Sequence, residues 1–242
     1  MAIAFVTGAA VNSQSNSNPT NTTGAIDTTG ANFLVATLIS NQGATGFTSF
    51  ADSKGGTWQT AVDWTANGGD FVRIMYAENP TVGTAHTFTL TYSGSVFTVV
   101  NVAAYSGMAT SSTLDKTATG TGNSTSLLTS ATATTTQANE LLIGGGTINA
   151  GTNSTFTAGA SYTVRAQEGL AGSGADGFLE ERIVSSTGAY TAAATWGGSA
   201  GAWIIAIATF KGAGGGGGGP GLLLTTRGGM NHGGGSMGGG MR

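Results

Sequence analysis

The sequence of 242 residues contains no cysteine, 3 prolines, 2 histidines and few charges, with 8 Lys+Arg against 11 Asp+Glu. The missing cysteines remove disulfides, thiolate zinc sites and thiol catalysis together, leaving stability to packing and hydrogen bonding. Charged residues make up 8% of the chain, against about 25% in ordinary soluble domains. A formal net charge of -3 gives no electrostatic attraction to nucleic acid and little repulsion between neighbouring copies. No segment approaches the roughly 18 consecutive apolar residues of a membrane helix. The N-terminus, Met1-Ala2-Ile3-Ala4-Phe5-Val6-Thr7, has no basic region and reads as a strand, not a signal peptide. The expectation is a protein made in a cytoplasm, binding neither nucleic acid nor membrane.

What the chain does contain is 39% hydrophobic residues and 43 glycines, arranged in a duplication. Thr28-Thr29-Gly30-Ala31-Asn32-Phe33-Leu34-Val35 recurs as Thr135-Thr136-Gln137-Ala138-Asn139-Glu140-Leu141-Leu142, an offset of 107. Tyr92-Ser93-Gly94-Ser95 matches Trp196-Gly197-Gly198-Ser199 and Trp58 matches Tyr162, both at 104. Val99-Val100-Asn101-Val102-Ala103-Ala104-Tyr105-Ser106-Gly107 recurs as Ile204-Ile205-Ala206-Ile207-Ala208-Thr209-Phe210-Lys211-Gly212 at 105. Collinear matches at nearly constant spacing mark two copies of one unit, residues 1–107 and 108–212.

Within each copy the apolar period is two. His86, Phe88, Leu90 and Tyr92 share one strand face and Ala85, Thr87, Thr89 and Thr91 the other. The segments 33–39, 58–64, 71–77, 84–92 and 96–105, with the N-terminal strand, give six strands. The second copy offers 141–148, 155–164, 178–184, 190–196 and 203–210. Turn signals such as Asn41-Gln42-Gly43, Asp52-Ser53-Lys54-Gly55-Gly56 and Asn67-Gly68 separate the strands. Residues 99–102 and 203–208 are apolar without alternation, as in strands covered on both faces. The fold class is all-β: a two-sheet antiparallel β-sandwich, jelly-roll or concanavalin-like, built from a duplicated unit. With no charged or Pro-rich linker near residue 108, one domain over residues 1–212 is preferred to two separate sandwiches.

From residue 213 the composition changes. Gly214 to Gly219 are all glycine, Pro220 and Gly221 follow, and residues 222–227 read Leu-Leu-Leu-Thr-Thr-Arg before further glycine runs. Such composition is ordinarily a linker. The run Leu222, Leu223, Leu224 with Arg227 nevertheless reads as a docking element for assembly, with glycines permitting close backbone approach on either side.

No catalytic or cofactor motif stands out. His86 lies on an apolar strand face with no carboxylate tied to it by sequence, and so reads as a core histidine; His232 stands among glycines with no second ligand near it. Adjacent strand residues point to opposite faces, so Glu180 and Glu181 of Glu180-Glu181-Arg182 cannot converge on one substrate, and the cluster reads as a surface salt-bridge ladder. Gly144-Gly145-Gly146 and Gly214 to Gly219 lack the Lys-Ser/Thr of a phosphate loop. Asp52, Asp63, Asp70 and Asp115 lack calcium-loop spacing, which leaves open only a lectin-type calcium assembled from separate loops. No cofactor or metal is expected. Trp58, Trp64, Tyr76 and Trp196 are candidates for stacking on sugar rings, with burial in the sandwich as the competing reading.

The strand Phe71-Val72-Arg73-Ile74-Met75-Tyr76-Ala77-Glu78, the strand end Tyr105-Ser106-Gly107, and Phe210-Lys211-Gly212 leading into polyglycine give a Thr/Gly/Ala-rich, cysteine-free chain. It resembles the jelly-roll surface proteins of tailed bacteriophage virions. The resemblance implies a non-enzymatic structural virion protein, a capsid decoration or head-fibre protein, or alternatively a tail-fibre adhesin or lectin-like carbohydrate-binding module. Its implied partners are further copies of itself, as a trimer by analogy, other virion proteins and surface glycans, and its implied location is the virion surface. Entry into the first strand at once favours decoration. No functional residue carries over.

Overall fold

The structure, a computed structural model, describes residues 1–15, 20–150, 155–169 and 176–214. It is all-β, with one short 3-10 turn at Ala44–Gly46 among the described residues. The first copy supplies eight strands: β1 (Ala4–Ser15), β2 (Thr20–Thr22), β3 (Phe33–Ser40), β4 (Phe47–Asp52), β5 (Gln59–Ala66), β6 (Asp70–Glu78), β7 (Phe88–Tyr92) and β8 (Val96–Ser106). The second supplies β9 (Leu114–Ser124), β10 (Ser126–Leu128), β11 (Asn139–Asn149), β12 (Phe156–Ala158), β13 (Thr163–Glu168), β14 (Asp176–Ser185), β15 (Ala193–Trp196) and β16 (Gly201–Lys211). The sheets run β1-β8-β3-β6-β5 and β2-β7-β4 in the first copy, and β9-β16-β11-β14-β13 and β10-β15-β12 in the second. Every strand of one copy has its counterpart in the other, and each copy is a jelly roll whose fifth strand has joined the sixth as a hairpin. At that hairpin in the first copy, Asn67 and Gly68 take φ of 52° and 78°, the left-handed pair that an Asn-Gly turn favours.

Alternation along the strands explains how the sheets stack. In β3, Leu34, Ala36 and Leu38 enter the first sandwich with Phe50, Phe88, Leu90 and Tyr92, while Phe33, Val35 and Ile39 point the opposite way. In β16, Trp203, Ile205 and Ile207 fill the second sandwich with Phe178 and Trp196, and Ile204, Ala206, Ala208 and Phe210 join Phe33, Val35 and Ile39 in a third core. That third core lies between the two five-stranded sheets, giving four layers of three, five, five and three strands. The strands read as covered on both faces, residues 99–102 and 203–208, are the inner strands β8 and β16. Across the middle core β1 packs on β13 and β5 on β9, the same pair of contacts twice, as a twofold relation between copies requires.

Small residues let the inner sheets meet. A Cβ on Gly145 of β11 would lie 2.4 Å from Thr37 Cγ2, and one on Gly177 of β14 would lie 2.5 Å from Ile39 Cδ1. The middle core is bordered by cross-copy hydrogen bonds. Thr37 Oγ1 donates to the Phe178 carbonyl at 3.2 Å, Asn67 Nδ2 to the Trp203 carbonyl at 3.1 Å, Asn12 Nδ2 to Glu168 Oε2 at 3.0 Å, and Thr113 Oγ1 to Glu78 Oε1 at 2.7 Å.

The threonine content has a second structural use. Thr23 N–H donates to the Phe88 carbonyl while Phe88 N–H donates back to Thr23 Oγ1, and Thr28 and Gly83 repeat the exchange. The second copy does the same with Thr129 and Ala192, Thr132 and Tyr190, and Thr135 and Gly188. All five threonines are buried. Where the chain between two strands of opposite sheets leaves the ladder, the hydroxyl replaces the missing backbone acceptor for an N–H that burial would otherwise leave unpaired.

Three strand assignments change. Among the described residues each copy has eight strands, not six: β2, β4, β9 and β10 are short, or lack a strict alternation of large apolar residues, so alternation did not mark them. In β9, glycine is required, because a Cβ on Gly120 or Gly122 would fall 2.1 Å from the Leu128 carbonyl oxygen or 2.4 Å from the Trp203 ring. Residues 155–164 are not one strand but parts of β12 and β13, which lie in different sheets. The offset of 107 also does not extend through β11. Phe33 pairs with Tyr105 and Leu141 with Phe210, so Leu141, 108 positions on, is the counterpart of Phe33. One residue has been inserted between Thr135 and Leu141.

Candidate functional site

A buried polar cluster of the first sandwich is built on the turn after β4. Asp52 Oδ1 accepts the Lys54 backbone N–H and His86 Nε2, each at 2.8 Å, and Oδ2 accepts the Gly56 N–H at 2.9 Å and Trp58 Nε1 at 2.8 Å. His86 Nδ1 lies 2.9 Å from Thr28 Oγ1. Burial pushes the Asp52 carboxyl up, but the hydrogen bonds from His86, Trp58 and the Lys54 backbone outweigh it and hold the group below the usual carboxylate range. His86 Nε2 donates to the ionised Asp52, while the Thr28 hydroxyl on the other side of the ring also reaches the Gly83 carbonyl at 3.1 Å.

The order carboxylate, imidazole, hydroxyl is that of a nucleophilic triad. Its surroundings are different. The side chains of His86 and Asp52 are both fully buried, Thr28 is 0% exposed, its oxygen accepts the Gly83 N–H at 3.0 Å, and the Phe88 ring stacks on the imidazole at 4.4 Å. Enclosed in this way, the group joins the turn at residues 52–56, the start of β5 and the loop before β7. The carboxylate partner of His86, absent from local sequence, sits 34 residues away.

The second copy puts different chemistry in the same place. Tyr190 is the counterpart of His86 and Tyr162 of Trp58, and the Arg182 guanidinium lies 5.6 Å and 5.9 Å from the two rings. Beneath them Glu180 is 0% exposed and accepts the Gly159 and Ala193 N–H groups at 3.2 Å each. Burial drives its pKa from 4.5 to about 8, so this carboxyl is protonated at neutral pH.

The surface salt-bridge reading of Glu180-Glu181-Arg182 is therefore wrong. The two carboxyls do point to opposite faces, but β14 lies between β13 and β11 with both faces covered at these two positions, and both groups are buried. Glu181 enters the border of the middle core, where it pairs with Arg165, not Arg182, and the Arg165 guanidinium caps the Phe5 ring at 4.2 Å.

The four aromatic candidates do not come together. Trp58 packs edge-on against Phe50 and Phe88 in the first sandwich, at 4.7 Å and 6.1 Å, and is half-buried. Tyr76, 6% exposed, stacks with Phe33 in the middle core, against which the half-buried Trp64 also packs. Trp196, 2% exposed, lies in the second sandwich against Phe156. Tyr76 and Trp196 thus present no free ring face to a sugar: Tyr76 lies between the two five-stranded sheets, and Trp196 points inward from an outer three-stranded sheet. Of the aspartates, Asp63 pairs with Arg73, Asp115 lies 3.4 Å from Lys116, and Asp70 is buried. Among the described residues no group of three His, Cys, Asp or Glu side chains could hold a metal ion, and no helix is long and apolar enough to cross a membrane. Leu222, Leu223, Leu224, Arg227 and His232 lie outside the described residues.

One feature at the surface was not legible in the sequence. Residues 107–109 pair with residues 211–213: Met108 bridges Gly212, Ala109 N–H donates to the Lys211 carbonyl, and Ala213 N–H donates to the Gly107 carbonyl. Asn32 holds Met108 from the other side, donating to its carbonyl at 2.8 Å and accepting its N–H at 3.2 Å. Beside this ribbon opens a mostly apolar cleft of about 340 Å³, lined by Met1, Gly30, Asn32, Met108, Thr110 and Ala213 among others. Its sequence signal is faint, because its walls come from four separate segments.

No protein family, curated protein or solved structure matches the chain. Its class is defined by the fold: an all-β protein of two jelly-roll sandwiches set back to back through their larger sheets.

Proposed function

We propose that the chain is a non-enzymatic structural protein of a bacteriophage virion, of the capsid-decoration or head-fibre kind. It assembles with copies of itself and with other virion proteins through its sheet surfaces and its glycine-rich tail. The observation that carries this reading is the position of the tail root. Ala213 and Met1 line one cleft, so the glycine-rich segment leaves from one pole of a double sandwich whose three cores tie both copies together. A body anchored at one pole displays the rest of its surface outward. The low charge of that surface favours dense packing of copies, and jelly rolls recur in viral capsids by fold-level analogy.

The test is quantitative mass spectrometry of purified particles of the phage encoding the chain. The protein is expected there in many copies, and a variant lacking residues 213–242 is expected to fold but to be missing from the particle. Absence of the full chain from particles, or undiminished incorporation of the truncated one, overturns the proposal. The rival class, a tail-fibre adhesin or lectin-like module, predicts binding on a glycan array that falls on substitution of Trp58.

A further inference from the structure

We propose that the cleft beside Met108 is the seat of Leu222–Leu224 from the same chain, so that the tail is latched back on the pole from which it leaves. The inference rests on the tail being the functional segment and adds the surface that receives it. Three observations support this occupant. Ala213, which lines the cleft, is one residue short of the end of the described chain at Gly214. Residues 222–224 are the one run of three apolar side chains in residues 214–242, and the cleft is mostly apolar. The eight residues between Ala213 and Leu222 span at most about 28 Å when extended, so a return to a cleft that Ala213 itself lines is within reach. A tether this short presents its ligand at roughly mM effective concentration, which favours the same chain over a second copy at ordinary protein concentrations.

The cleft is also built to hold its shape. The Asn32 amide clamps the Met108 backbone from one side and the Gly212 bridge from the other. Gly107, with φ of 76°, sits where a Cβ would lie 2.1 Å from the Ala2 carbonyl oxygen. The leucines would therefore meet a wall fixed in advance, which lowers the ordering cost of docking.

The absence of cysteine allows a direct test on the full chain. Thr225→Cys carries a nitroxide, methionine methyl groups carry carbon-13, and Met108 is assigned with Met108→Leu. The Met108 methyl signal is expected to be broadened, to stay broadened when the doubly labelled chain is diluted tenfold with unlabelled chain, and to sharpen in a variant with Leu222, Leu223 and Leu224 all changed to Ser. An unbroadened Met108 signal overturns the proposal. Broadening that disappears on dilution with unlabelled chain also overturns it, by making the occupant a second copy. Broadening that survives the triple serine variant overturns the role of the leucines. None of these outcomes depends on whether the chain enters a virion, so failure here and failure of the structural role are separately visible.

Discussion

Glu180 offers the sharpest test of the packing described here. Its carboxyl lies inside the second sandwich, reached by two backbone N–H groups. Burial raises its pKa from 4.5 to about 8. In the folded chain it holds its proton to about pH 8, whereas in the unfolded chain it ionises near 4.5. Between those values the folded state binds more protons, so stability falls as pH rises through the window and levels off above it. At about 1.4 kcal/mol per pH unit, the full rise corresponds to about 5 kcal/mol of stability present at pH 4.5 and lost by pH 8. Glu140, raised to about 7 by burial, and Asp70, raised to about 6 by burial, add slopes of the same sign that end at lower pH. From pH 7 to 8 Glu180 supplies the larger share of the slope and Glu140 a smaller one, so the difference between the native chain and a Glu180 variant reports Glu180. Urea unfolding at half-unit pH steps is expected to show the native chain losing about 1 kcal/mol more across that interval than Glu180→Gln, which keeps only the smaller slope of Glu140. The variant is offset downward at low pH, because its NH2 group cannot accept one of the two N–H bonds. Parallel profiles for the two proteins from pH 7 to 8 would refute the assignment of Glu180 as a buried neutral acid.

The remaining predictions concern packing and the threonine exchanges. Gly145→Val pushes β11 against Thr37 and is expected to destabilise by at least about 1–3 kcal/mol in urea unfolding, since both sheets are fixed by their own sandwiches; an unchanged midpoint would mean that the two copies are not in contact there. Thr129→Val removes the acceptor for the buried Ala192 N–H and is expected to cost about 1–3 kcal/mol, whereas Thr157→Val on the exposed face of β12 stays within about 0.5 kcal/mol; equal effects would sink the structural account of the threonines. Trp196→Ala is expected to cost about 3–5 kcal/mol in stability, with a collapse of near-ultraviolet circular dichroism; a stable variant with native spectra would place that ring at the surface.

The sequence by itself determined the all-β class, the duplication, and the identity of the inner strands. Each of these is written in local chemistry: alternation of side chains, the repeated Tyr105-Ser106-Gly107 and Phe210-Lys211-Gly212 endings, and the unbroken apolar runs of β8 and β16. It also placed His86 in a core and set Glu180 and Glu181 on opposite faces, because a strand's period is two whatever surrounds it. It could not decide what covers each face. The stacking of the two five-stranded sheets buried Glu181 with Arg165 and enclosed Tyr76, the packing inside each sandwich joined His86 to an aspartate 34 residues away and enclosed Trp196, and the meeting of the two copies brought Met1, Asn32, Met108 and Ala213 around one cleft. Strand periodicity acts over neighbouring residues, whereas burial depends on segments a hundred positions apart meeting across a sheet. A carboxylate in the sequence therefore reads as surface until the tertiary structure shows what lies on both sides of its strand.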